Sequence, residues 1–232
     1  MPDSLSDLLP QRPASAERPL FGVTLLLVED SRLACEAVRL MCLRSGARLR
    51  RADCLRAAER HLRCYRPGVV IVDLGLPDGS GLDLIGALAR QRPRLPALIA
   101  TSGDLGAETA ALAAGADRFL PKPVESLASF QALILSLLPD QPRAALEAGA
   151  EGPLTPDPLA LHDDLARAAE LLDPAATADL GYVARFLSGL ALSAHDPDLR
   201  RAAEALLADR SQGPVRRLSG MLRDRLAATA AF

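Results

Sequence analysis

The chain has 232 residues, 49% hydrophobic and 24% charged, with 27 basic side chains against 29 acidic ones. That length accommodates one large domain or two small ones, and a net charge of −2 excludes a broad electrostatic pull toward nucleic acid or an anionic membrane. No apolar run approaches the roughly 20 residues that span a bilayer, and the N-terminus lacks the basic stretch and apolar core of a secretory signal. These features predict a cytoplasmic protein without a membrane partner. Aromatic residues make up 3% of the chain, so its cores must be built from Leu, Ala and Val. Cys35, Cys42, Cys54 and Cys64 show no zinc or redox spacing and read as small, partly buried apolar residues in a reducing compartment.

Residues 1–20, rich in Pro, Ser, Arg and Asp, read as a flexible lead. From 21 to 139, short apolar runs alternate with helical patterns. The runs are Val23–Val28, Ala47–Arg51, Val69–Val72, Ala97–Ala100 and Arg118–Leu120. The second is weak, because three arginines interrupt it. Three of the others are continuous rather than alternating, as strands buried on both faces should be. Helices are predicted near 31–44, 54–64, 81–90, 105–114 and 124–138. Five βα units in series predict a doubly wound parallel sheet.

Residues 140–157 have the Pro- and Gly-rich composition of a linker. Residues 158–232 carry no strand signal. Asp157-Pro158, Asp173-Pro174 and Asp196-Pro197 each place a capping Asp before a Pro suited to a first helical turn, and Gly213-Pro214 is a weaker fourth start. Four apolar stripes at helical spacing follow: Leu161, Leu165, Ala168 and Leu172; Leu180, Val183, Leu187 and Leu190; Leu199, Ala203 and Leu206; Val215, Leu218, Leu222 and Leu226. A small all-α, four-helix domain is expected. Its limited core suggests a partner or a second copy of the chain.

Five features of the first domain converge on one edge of the sheet. Glu29 and Asp30 directly follow the first apolar run, and residues at the carboxyl ends of parallel strands gather at the ligand-binding edge. Asp73 directly follows Val69–Val72, and the turn after it contains Pro77 and glycines 75, 79 and 81. Three carboxylates at adjacent strand ends repel one another unless a cation intervenes, and Mg²⁺ suits carboxylates, waters and phosphate oxygens. Thr101 follows the fourth run. Lys122 follows the fifth, and it is the single lysine among the 27 basic residues. A compact ammonium binds an oxyanion as a point charge, which the planar fork of Arg does not mimic. Phe119 lies three residues before it. Taken singly, Glu29-Asp30 reads equally as a helix-capping cluster, Asp73 as a turn carboxylate and Thr101 as a strand-end hydroxyl. Their occurrence in order at successive strand ends favours one site.

This motif set, over residues 21–139, resembles the receiver domain of bacterial two-component response regulators. The resemblance implies a flavodoxin-like, five-stranded fold. It implies that Asp73 is the phosphoacceptor, taking a phosphoryl group from a phosphohistidine on a sensor histidine kinase or phosphotransfer protein. Asp30 and Asp73 would ligate Mg²⁺ directly, Glu29 through water, and Gly75 through its carbonyl. Thr101 and Lys122 would bind phosphoryl oxygens, and Phe119 would be a switch that turns inward on phosphorylation. The chain would then be a signalling phosphoacceptor rather than an enzyme, with at most Mg²⁺-dependent self-phosphorylation and dephosphorylation.

The output domain is less explicit. Residues 151–232 contain nine Arg against twelve acidic residues, the wrong sign for a DNA-binding footprint. Between Arg200 and Arg225 seven arginines are interleaved with three acids, a pattern of solvated helix faces. His162 is followed by Asp163-Asp164, not by the Lys and Gly of a histidine phosphotransfer motif, and His195 sits at a predicted helix end. The reading is therefore a response regulator whose helical domain acts on a downstream protein or through dimerisation. The alternatives are a transcriptional regulator with an atypical DNA-binding domain and, behind it, a phosphotransfer bundle.

Overall fold

The computed structural model describes residues 15, 18–138, 157–173, 176 and 178–229. The expected linker, apart from Asp157, and most of the expected N-terminal lead lie outside the described residues.

The first domain is built on five strands: β1 (Thr24–Val28), β2 (Arg48–Ala52), β3 (Val69–Asp73), β4 (Ala97–Ser102) and β5 (Arg118–Pro121). All neighbours run parallel, in the order β2-β1-β3-β4-β5. The helices between them are α1 (Arg32–Ser45), α2 (Leu55–Cys64), α3 (Gly81–Ala89), α4 (Glu108–Ala114, preceded by a 3₁₀ turn) and α5 (Leu127–Leu137). The fold is the doubly wound, flavodoxin-like one that the sequence predicts. Alternation along the central strands divides the core in two. Leu26, Val28, Val70, Val72, Leu98 and Ala100 face the helices carrying Ala58, Ile85 and Ala111. Leu25, Leu27, Val69, Ile71, Ala97 and Ile99 face Val38 and Met41 of α1 and Phe130 and Ile134 of α5. Such two-sided burial explains why these strands read as unbroken apolar runs.

The arginine-rich second run is accounted for by its place. β2 is an edge strand, where Arg48, Arg50 and Arg51 reach solvent and blunt the open edge.

The second domain consists of α6 (Pro158–Leu171), α7 (Leu180–Ser193), α8 (Pro197–Ala208) and α9 (Gln212–Thr229). Asp157 and Asp196 cap α6 and α8 as expected, their side chains accepting from the amides of Leu159 and Leu199. Pro174 lies outside the described residues, and the expected start at Asp173 is not that of α7. Helix α7 begins at Leu180 with Asp179 as its cap, because its apolar stripe itself begins at Leu180. At its other end His195 takes the left-handed conformation (φ 54°) that stops the helix. Leu165, Ala168, Val183, Leu187, Leu190, Leu199, Ala203, Leu206, Leu218 and Leu222 form the buried centre of the bundle. Leu33, from α1 of the first domain, is buried in the same cluster, so the two domains share a core. None of the described helices is long and apolar enough to cross a membrane.

Candidate functional site

The carboxyl ends of β1, β3, β4 and β5 bring the predicted residues to one edge of the sheet. Glu29 and Asp30 leave β1, and the Glu29 amide still donates to the Ala52 carbonyl at 2.8 Å, which holds the turn against β2. Asp73 is the last residue of β3, in register with Thr101 of β4. A two-residue hairpin, Gly75–Leu76 against Gly79–Ser80, turns the chain from Asp73 into α3. Gly81 is required there, since a Cβ at that position would lie 2.0 Å from the Asp73 carbonyl oxygen.

Glu29, Asp30 and Asp73 each offer a carboxylate oxygen within 4.8 Å of the others, and all three residues are buried. Lys122 Nζ reaches Glu29 Oε2 at 2.5 Å and Asp73 Oδ1 at 2.9 Å. The other Asp73 oxygen accepts from the Gly75 amide at 3.2 Å. Burial pushes the Glu29 carboxyl up to about 8, and the negative charges of Asp73 and Asp30 push the same way against the opposing pull of Lys122. Asp30 is also raised by burial, while a hydrogen bond from Tyr182 and the charge of Arg167 draw it down. For Lys122 burial disfavours the ammonium, but Asp73 and Glu29 outweigh it and the net shift is upward. The three clustered carboxylates form an all-oxygen donor set. Such a set fits a hard divalent cation.

Thr101 and Phe119 are placed differently. Thr101 is buried beside Asp73, but its hydroxyl donates to the Leu120 carbonyl at 2.7 Å rather than into the acidic pocket. Phe119 is already buried, in the core that includes Ala111 and Ala116. Gly75 presents its amide to Asp73.

Sequence reasoning did not anticipate that the helical domain reaches this site. Asp30 Oδ2 accepts a hydrogen bond from the Tyr182 hydroxyl and lies 3.2 Å from Arg167 Nη2. Arg167 Nη1 donates to the Asp30 carbonyl at 2.9 Å, and its other terminal nitrogen donates to the Tyr182 hydroxyl at 2.9 Å. Phe186 stacks under the Arg167 guanidinium at 5.2 Å. Next to them Asp164, 1% exposed, accepts from the Ser31 hydroxyl at 2.8 Å and from the Arg32 and Leu33 amides at 3.0 Å each. It caps the first turn of α1 from another domain. A cavity of about 660 Å³ remains between the acidic residues and a wall formed by Arg185, Phe186 and Gly189 of α7. One signal in the sequence pointed to this interface. Asp164 lies three residues after Leu161 and four before Ala168, on the apolar stripe of α6, where a lone carboxylate needs a partner.

The family model described as the response regulator receiver domain matches residues 25–134. Residues 25–134 form a response regulator receiver domain. The transcriptional regulatory protein BasR of Escherichia coli is 35% identical over 115 residues, which is 49% of this chain and 51% of BasR. The virulence transcriptional regulatory protein PhoP of Salmonella typhimurium is 34% identical over 113 residues, 47% of this chain and 50% of PhoP. The chain thus spans about half the length of the curated relatives it matches. Among solved structures, the signal receiver domain of a signal transduction histidine kinase from Syntrophus aciditrophicus aligns with a TM-score of 0.47 and 25% identity, covering 56% of this chain and all of that one. The residues matched by the family model include Glu29, Asp30, Asp73, Thr101 and Lys122, and the helical domain stands outside that match.

Proposed function

We propose that the chain is a two-component phosphoacceptor in which Asp73 receives a phosphoryl group from a phosphohistidine on a sensor kinase or phosphotransfer protein. The observation that supports this most directly is the Asp73 carboxylate at a strand end, paired with Lys122 and grouped with two further buried carboxylates. An Asp73 oxygen attacks phosphorus, the P–N bond breaks with its electron pair returning to the ring nitrogen, and the histidine, already protonated on its other ring nitrogen, leaves as neutral imidazole. An acyl phosphate remains on Asp73. Lys122 neutralises charge on the transferring oxygens, and the low-dielectric pocket strengthens that interaction. Asp30 and Asp73 would hold Mg²⁺, with Glu29 acting through water and the Gly75 carbonyl completing the set. When bound, Mg²⁺ supplies the positive charge that lets two anions approach. Thr101 must turn from the Leu120 carbonyl to reach a phosphoryl oxygen, and that rotation is the local change to which the β5 edge responds, with Phe119 already packed inward before it. Apart from Mg²⁺-dependent gain and loss of its own phosphoryl group, the chain performs no catalysis in this reading.

The test is intact mass after incubation with acetyl phosphate and Mg²⁺. One added phosphate is expected on the wild type and none on Asp73→Asn. Persistence of the adduct in the variant overturns the assignment.

For output we favour contact with a downstream protein or a second copy of the chain, in the cytoplasm, over DNA. Four arginines of the locally basic segment are matched to acids: Arg200 to Glu204 at 2.8 Å, Arg201 to Asp198, Arg210 to Asp179 at 4.0 Å and Arg225 to Asp196 at 2.6 Å. Paired arginines of this kind form a solvated face rather than an electrostatic footprint for phosphates. The names of BasR and PhoP favour the second reading, a transcriptional regulator. Salt-sensitive retention on heparin supports that second reading, and a stoichiometric complex with a signalling protein supports the first.

A further inference from the structure

Asp30 serves two masters in this fold. One of its faces belongs to the acidic group with Glu29 and Asp73. Its Oδ2 is engaged by Tyr182 and Arg167, and its backbone carbonyl by Arg167 as well. The side chain is 1% exposed, so water does not separate these contacts. The guanidinium places positive charge on the carboxylate that a cation at the acidic site also uses. Oδ2, already accepting from a hydroxyl and a guanidinium, has little lone-pair density left for a metal, and a dication held through either Asp30 oxygen is repelled by the adjacent Arg167.

The same face is held at a second point, where no helical-domain side chain touches the acidic carboxylates, although the Ser31 amide donates to Glu29 Oε1 at 3.1 Å. Asp164 caps α1 through Ser31, Arg32 and Leu33, Asp163 pairs with Arg32 at 2.5 Å, and Leu33 is buried in the bundle's own core. Docking of the helical domain therefore combines apolar burial, a helix cap and the Arg167–Tyr182 contact into one surface whose partner is the receiver's acidic edge.

We infer that the α6–α7 face and a divalent cation compete for Asp30, so that the docked helical domain weakens cation binding and the bound cation loosens the docked domain. The coupling is reciprocal, as any binding linkage must be. Arg167 and Tyr182 act as a latch on the receiver, and opening it is a step that precedes phosphoryl uptake. This inference rests on the reading of the acidic group as a cation site.

The experiment is titration of the full chain with Mg²⁺ by calorimetry, on the wild type, Arg167→Gln and Asp164→Asn, paired with hydrogen exchange of the first turn of α1. Asp164→Asn leaves the three site carboxylates in place and removes a negative charge, which alone would weaken cation binding, so tighter binding reports docking rather than local charge. Both variants are expected to bind Mg²⁺ more tightly, by about tenfold for Arg167→Gln, within the usual range of coupling between sites. In the wild type, Mg²⁺ is expected to speed exchange of the Arg32 and Leu33 amides, because the Asp164 cap is withdrawn. Unchanged or weaker affinity in Arg167→Gln overturns the competition. Unchanged affinity in Asp164→Asn overturns the linkage to docking even where Arg167→Gln tightens. Absence of Mg²⁺ binding in all three proteins overturns the cation site itself, and with it this inference.

Discussion

Lys122 Nζ stands 2.9 Å from Asp73 Oδ1, with both side chains at most 10% exposed. An ammonium so placed does more than neutralise the ground state, because the transferring phosphoryl oxygens must come to rest beside it. Lys122→Ala is expected to slow phosphoryl uptake by about 100-fold or more, the loss seen when a preorganised charge-stabilising donor is removed from a dry site. Lys122→Arg is expected to restore little, since a planar fork does not fit where one point charge meets two carboxylates. The initial rate of adduct formation by intact mass measures both.

Gly81 and Gly220 give a contrasting pair. A Cβ at Gly81 would meet the Asp73 carbonyl oxygen at 2.0 Å, whereas one at Gly220 in α9 would meet nothing within 4 Å. Gly81→Ala is expected to destabilise the receiver domain by about 1–3 kcal/mol, as overpacking does, and to displace Asp73. Gly220→Ala is expected to stabilise the bundle by about 0.5–1 kcal/mol by lowering unfolded-state entropy. Thermal melts of the two variants should shift in opposite directions.

The sheet, its helices and the acidic edge were legible because each rests on local pattern. Continuous apolar runs mark strands covered on both faces, and the functional residues follow those runs directly in sequence. The start of α7 was misread because Asp173-Pro174 and Asp179 offer competing caps six residues apart, and only the apolar stripe decides between them. The role of Arg167 and Tyr182 was not legible. Their partner, Asp30, is more than a hundred residues away, and an Arg on a helix face or a Tyr in a bundle has ordinary uses that no local pattern distinguishes. The position of the Thr101 hydroxyl is likewise a rotamer, which spacing does not encode.

The cysteines should divide by exposure. Cys64 is exposed and Cys35 and Cys42 are buried. Burial pushes the Cys42 thiol up to about 12 and that of Cys35 upward as well, so neither forms thiolate at neutral pH. Alkylation of the native protein at pH 8 is expected to label Cys64 and to spare Cys35 and Cys42 until denaturant is added. Uniform labelling of all four would contradict the fold around α1.

Asp196 gives the bundle a pH dependence. It caps α8 and is clasped by Arg225 at 2.6 and 2.9 Å. The Arg225 hydrogen bond, aided by the Leu199 amide, holds its carboxyl below the usual value. A depressed carboxylate stabilises the fold above its unfolded pKa of about 4, and that contribution is lost as pH falls through the lower folded value. Arg225→Gln is expected to cost about 1–2 kcal/mol at pH 7, the scale of a charged hydrogen bond in a partly exposed setting. The cost should shrink at pH 2. Urea melts at the two pH values test the sign.

The most direct test of the account is to locate the phosphoryl group. The protein is incubated with acetyl phosphate and Mg²⁺, reduced with borohydride to convert an acyl phosphate to an alcohol, and mapped by peptide mass spectrometry. Homoserine at position 73 alone is the predicted result. Reduction at Asp30, or phosphate on a histidine or serine with Asp73 unmodified, would contradict it.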